Sequence, residues 1–190
     1  MDAAIVRWLN SGVGTLPWLD DFIKVVVSDY FVPVTLSLIV LGVWFGGKTP
    51  LSRELHQRAA LTAMLGLAFG NLTVQIIGAL AFRDRPYLSQ PLELLFYQPT
   101  DSSFPANPAV VGAAIAAGLW GANRRMGAVA FGIAALWGVS RVYAGVSYPT
   151  DVLAGAAIGV VVVMAVTWVL RRIEPLPTMV IQLAQRFYLA

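Results

Sequence analysis

Three short segments hold the groups able to bind or cleave a phosphate ester. They are Arg83-Asp84-Arg85-Pro86, Asp101-Ser102-Ser103-Phe104-Pro105-Ala106-Asn107-Pro108, and the run from Ser140-Arg141 to Ser147 and Asp151. Guanidiniums gathered at the start of a helix make a cradle for an oxyanion. Arginine's planar fork matches phosphate oxygens, and a helix N-terminus offers free N–H groups. Hydrolysis asks for more: a nucleophile and a general acid that are part neutral and part protonated near pH 7, as imidazole is. The chain has one histidine, His56, and no cysteine. Ser147 lies one helical turn before Asp151, but a carboxylate of ordinary pKa is a poor base for a serine. Taken singly, the arginines are also what interfacial snorkelling produces, and Asp151 is what a helix N-cap looks like. Without cysteine there are no disulfides or thiolate metal sites, and neither a metal nor a cofactor is expected.

The elements that must position these groups are membrane helices. Of the 190 residues, 58% are apolar and 12% charged, about half the charge of an ordinary soluble domain. Mean hydropathy is +0.72. That balance excludes disorder, coiled coil, collagen and a soluble nucleic-acid binder. Charge-free runs predict an all-α bundle of five spans: 30–47, 59–82, 102–123, 126–140 extended to 144, and 152–170. Residues 1–28 read as amphipathic and interfacial helices, the first opened by Asp2 and ending near Gly12, the second starting near Pro17 and bending at Pro33. Residues 29–171 form the core, and 172–190 a surface tail whose Val180, Leu183 and Phe187 recur at helical spacing. Gly66 and Gly70, then Gly155 and Gly159, predict close helix contacts, and Asn71 and Gln75 predict hydrogen bonds between helices.

Charge distribution orients the chain. Eight basic residues, among them Lys48, Arg53, Arg124 and Arg171, face one side against Glu54 and Glu174. The other side carries five basic and eight acidic residues, and all three candidate segments. The positive-inside rule makes the first side cytoplasmic, with the N-terminus and the site outside and the C-terminus inside a cell membrane.

The segments resemble the three motifs of the membrane-bound type 2 phosphatidic acid phosphatase family: Lys-x6-Arg-Pro, Pro-Ser-Gly-His and Ser-Arg-x5-His-x3-Asp. Arg85-Pro86 fits the first, with Arg83 as an additional arginine. Ser102-Ser103-Phe104-Pro105 fits the approach to the second. Ser140-Arg141, Tyr143, Gly145, Tyr148-Pro149-Thr150-Asp151 and Leu153-Ala154-Gly155 fit the third at correct spacing. The resemblance implies phosphate contacts from Arg83, Arg85 and Arg141, with Asp151 orienting a nucleophilic histidine. In this chain the motif lysine is Gly78, the second-motif histidine is Pro108, and the nucleophile's position holds Ser147. His56 is a whole span away. The resemblance therefore implies a lipid-phosphate-binding pseudoenzyme or an accessory subunit of a larger membrane complex. The alternative is an active lipid phosphatase with altered chemistry. Partners are membrane lipids, including lipid phosphates, and not nucleic acid. As a structural reading of the charges, Arg141 pairs with Asp151 and Arg85 with Asp84, Asp101 or a loop carbonyl.

Overall fold

The computed structural model describes residues 1–187, and every regular element among them is helical. In chain order these are α1 (Asp2–Asn10), α2 (Pro17–Val27), α3 (Phe31–Trp44), α4 (Pro50–Leu80), α5 (Pro86–Ser89), α6 (Asn107–Trp120), α7 (Arg124–Tyr143), α8 (Pro149–Arg172) and α9 (Leu176–Arg186). Local chemistry sets many of the starts. Proline stands in the first turn of α4, α6 and α8, where its missing N–H is no loss. Thr49 and Ser52 form a reciprocal capping box on α4, and the Asn123 side chain accepts from the backbone N–H groups of Arg125 and Met126 to open α7.

The membrane bundle is present, with its lengths redistributed. At 31, 20 and 24 residues, α4, α7 and α8 are long and apolar enough to cross a bilayer. Helices α2 and α3 make a fourth candidate span, bent by 54°. The bend falls at the break between Val27 and Phe31 and not at Pro33, which sits harmlessly in the first turn of α3. The third expected span is also corrected. Its helix begins at Asn107 instead of Ser102, and its 14 residues reach about 21 Å at 1.5 Å each. By length and composition, the described residues thus hold three candidate spans, or four with the bent pair, arranged about a shorter apolar α6. The shortness is tolerable because α6 is central: eleven of its residues are buried, so protein surrounds it instead of lipid.

Close helix contacts use glycine: a Cβ on Gly66 of α4 would stand 2.5 Å from Val163 Cγ2 of α8, and one on Gly159 of α8 would collide with the Val110 carbonyl of α6. The small-residue runs of α4 and α8 therefore serve helix contact, as their spacing predicts. Large side chains facing away from the bundle, such as Leu38, Phe69, Val161 and Met164, are exposed, which suits a surface bathed in acyl chains. In the tail, α9 folds back on the start of α4. Gln185 Nε2 donates to Gln57 Oε1 at 2.8 Å, and Arg58 pairs with Glu174. Val180, Leu183 and Phe187 stay exposed, and residues 188–190 of the expected tail lie outside the described residues.

Candidate functional site

The loop leaving α4, the loop entering α6 and the α7–α8 loop meet at one end of the bundle, tied together by Arg85. This side chain is only 5% exposed. Its Nε donates to Asp101 O at 3.0 Å, its Nη1 to Val146 O at 2.6 Å, and its Nη2 to Asp101 Oδ1 at 2.8 Å. Arg141, 4% exposed near the end of α7, donates through Nη1 to Asp29 Oδ1 at 3.3 Å and Val27 O at 3.4 Å. Its guanidinium also lies over the Phe96 ring. Arg141 feels the charges of Asp29, Arg85 and Asp101, so the two buried guanidiniums share one electrostatic environment. Of the structural pairings expected, Arg85 with Asp101 is present. Arg141 with Asp151 is not: the partner of Arg141 is Asp29, from the α2–α3 break.

Asp151 belongs instead to Arg83. It is fully buried as the third residue of α8, whose N-cap is Tyr148, so it is not the cap that the sequence suggested. Its Oδ2 accepts from Ser103 Oγ at 2.6 Å and its Oδ1 accepts from Arg83 Nη1. Arg83 stacks over the Tyr148 ring at 4.1 Å, and its Nη2 reaches Asp2 Oδ2 at 2.9 Å. Asp2 does not cap α1 either, since Met1 holds that position. The Asp2 carboxylate crosses to α8, where it accepts from the Thr150 N–H at 3.2 Å and from the Thr150 hydroxyl. It therefore sits where an anion at this helix N-terminus would sit.

Asp2 predicts a pH response. Burial pushes its carboxyl up, but hydrogen bonds from Thr150 and Arg83 outweigh that and hold it below the usual carboxylate range. The stability it contributes is complete above the unfolded value of 3.8 and is lost as pH falls through the lower folded value. Hydrogen exchange of the α1 amides should therefore be unchanged from neutrality down to about pH 5, relative to intrinsic rates, and rise only in stronger acid. Asp2→Asn should give the fast-exchanging form already at neutral pH.

The three departures from the motifs fall at this same end. Ser147 is buried, and no bond links it to Asp151, both of whose carboxylate oxygens already have partners. Pro108 lies in the first turn of α6 with no N–H to offer. Ala106 is the N-cap of α6, and Asn107 is already helical. Beside Gly78 is a cavity of about 240 Å³ lined by Asn71, Gln75, Asp101, Ser102 and Asn107. Asn71 Nδ2 donates to Leu67 O of its own helix at 3.2 Å, so the bond between helices expected of it is absent. Sequence reasoning missed the site roles of Asp2 and Asp29. Asp29 had a usable signal, since Ser28-Asp29-Tyr30 interrupts an apolar run beside the site.

The profile of the PAP2 superfamily matches residues 59–174, from α4 through the end of α8. The chain belongs to the PAP2 superfamily. Among PAP2 relatives, it is 31% identical over 144 residues to the undecaprenyl-diphosphatase BcrC of Bacillus subtilis (strain 168), covering 75% of this chain and 70% of that protein. It is 28% identical over 107 residues to the bacitracin transport permease protein BcrC of Bacillus licheniformis, covering 56% and 53%. Its fold matches the PAP2-type phosphatidylglycerolphosphate phosphatase of Bacillus subtilis with a TM-score of 0.64 at 25% identity, over 92% of this chain and 86% of the other. Aquifex aeolicus LpxE matches with a TM-score of 0.67 at 25% identity, over 87% and 94%. This PAP2 protein is thus an all-helical, multi-pass membrane protein of a lipid phosphatase family.

Proposed function

We propose that this PAP2 protein holds the phosphate or diphosphate headgroup of a lipid at the outer membrane face and does not hydrolyse it through a phosphohistidine. One observation carries the binding half: Arg85 and Arg141 are about 5% exposed, while the side chains of their partners Asp101 and Asp29 are 64% and 44% exposed. The cations are fixed and desolvated; the anions stand at the rim, where a phosphate can displace them. The catalytic half rests on chemistry. Ser147 has no imidazole beside it, and Asp151 is engaged by Ser103 and Arg83. The named activities of two relatives, on undecaprenyl diphosphate and on phosphatidylglycerolphosphate, share a lipid phosphoester, and that is the ligand class proposed here.

A second reading, an active diphosphatase that uses Ser147, is favoured by the 31% identity to an undecaprenyl-diphosphatase. Phosphate release separates the two. Purified protein given undecaprenyl diphosphate should release phosphate no faster than its Ser147→Ala variant. Turnover that vanishes in that variant would establish the second reading. The accessory-subunit form of the first reading draws support from the self-paired arginines and is tested by co-purification of other membrane proteins. Orientation is checked in intact cells, and the lack of native cysteine makes the test clean. A membrane-impermeant maleimide should label Ser89→Cys and not Ser52→Cys; the reverse pattern would put the site inside.

A further inference from the structure

Seven buried side-chain polar atoms have no protein partner among the described residues, and three of them belong to residues that line a single cavity. They are Arg141 Nε, Trp137 Nε1 and Asn107 Oδ1. The cavity, about 370 Å³, lies between the start of α3, the start of α6 and the outer half of α7, with Asp29, Tyr97 and Asp101 also on its walls. That volume is within the range of small-ligand sites, about 300–1,000 Å³. Trp137 and Arg141 are one turn apart on α7, so their side chains share a face. Both are 4% exposed. An unpaired donor at this depth is unfavourable, and two on neighbouring residues of one cavity wall point to an acceptor as the missing partner. Indole and guanidinium nitrogens only donate, so the missing group must accept from both. The Asn107 amide, on the opposite wall, can meet either an oxygen or a hydroxyl.

We propose that Trp137 is a headgroup-contacting residue, its indole N–H and the Arg141 Nε–H donating together to the terminal phosphate of a lipid phosphate or diphosphate. This rests on the binding reading above and deepens it. That reading assigns the phosphate to Arg85 and Arg141. The cavity adds a neutral donor from the membrane-spanning part of α7 and places the terminal phosphate on the α3 side of Asn107. A neutral indole N–H selects for an acceptor without adding charge, so it sharpens recognition of phosphate oxygens that the arginines already attract.

The test uses the 190-residue protein in detergent, with farnesyl diphosphate as the lipid probe and inorganic diphosphate as the free anion. The ¹⁵N indole cross-peak of Trp137, assigned by its loss in Trp137→Phe, should shift on addition of farnesyl diphosphate, while those of the exposed Trp8 and Trp18 stay in place. Trp137→Phe, which keeps an aromatic ring and removes the donor, should weaken farnesyl diphosphate binding by about tenfold or more, the effect of one hydrogen bond to a charged group. The wild-type spectrum keeps the test valid if that variant folds poorly. Wild-type binding that depends on Arg85, with a still Trp137 cross-peak, would overturn this inference and leave the binding reading standing; the cavity then holds only water. No binding to the wild type at all would overturn both. Equal shifts with inorganic diphosphate would support the role of Trp137 and overturn a lipid as the ligand.

Discussion

Asp151→Ala is expected to lower the unfolding free energy by about 2–3 kcal/mol and the melting temperature in detergent by roughly 5–10 °C. Asp151 is fully buried and joins α8 to two other segments: Ser103 in the loop before α6 and Arg83 in the loop after α4. Through Arg83 it also anchors Asp2 and hence α1. Removing the carboxylate strands the Ser103 hydroxyl, itself fully buried, and halves the anionic partners of Arg83. Breaking a wholly buried pair costs roughly 3–5 kcal/mol; the lower figure allows for the Arg83 side chain being 38% exposed and screened by water. Asp151→Asn, which keeps an acceptor for Ser103, should lose about half as much. A melting temperature unchanged in Asp151→Ala would mean that the network does not hold these loops together.

The second large effect is on binding. Arg141→Ala should weaken farnesyl diphosphate binding by about a hundredfold, because two charge-assisted hydrogen bonds disappear with one side chain. Arg141→Lys should recover little of it, since a point ammonium cannot replace a fork whose Nη1 is held by Asp29 and Val27 while its Nε is left for the ligand. Loss of binding alone would also follow from a damaged fold, so the informative variant is Asp29→Asn. Asp29 is the resident anion on Arg141, half-exposed, and such a pair is worth under about 1 kcal/mol. Removing its charge should tighten the ligand about two- to fivefold by ending the competition. If Asp29→Asn weakens binding instead, Asp29 is part of the site and not its occupant. Isothermal titration of the three variants reads all of this directly.

The helices α4, α7 and α8 were legible because a bilayer demands long runs without charge, and the chain has few charges to spare. What escaped was decided by contacts between distant residues. The break between α2 and α3 carries no strong breaker. The Val27 carbonyl at the end of α2 is instead taken by Arg141, which comes 114 residues later. Helix α6 starts late because Ser102 and Ser103 spend their hydroxyls on Phe104 O and Asp151, holding that stretch in an irregular loop. The same limit applies to the site. Arg83, Arg85, Arg141 and Asp151 stand out by type and spacing, and the bundle brings them to one end. Their pairing is a matter of three dimensions. Asp2 reads as the opening of a helix from sequence alone, and the fold sets it against Arg83 and Thr150, as it sets Asp29 against Arg141.

The deciding question is whether a lipid diphosphate is held and left intact. The direct measurement is incubation of the purified protein with farnesyl diphosphate labelled in its terminal phosphate, followed by separation of protein-bound label from free label and identification of each. Saturable bound label should be recovered as intact farnesyl diphosphate and be lost in Arg141→Ala, with no more inorganic phosphate than in a protein-free control. Inorganic phosphate in excess of the protein, or no bound label at any ligand concentration, would contradict the proposed function.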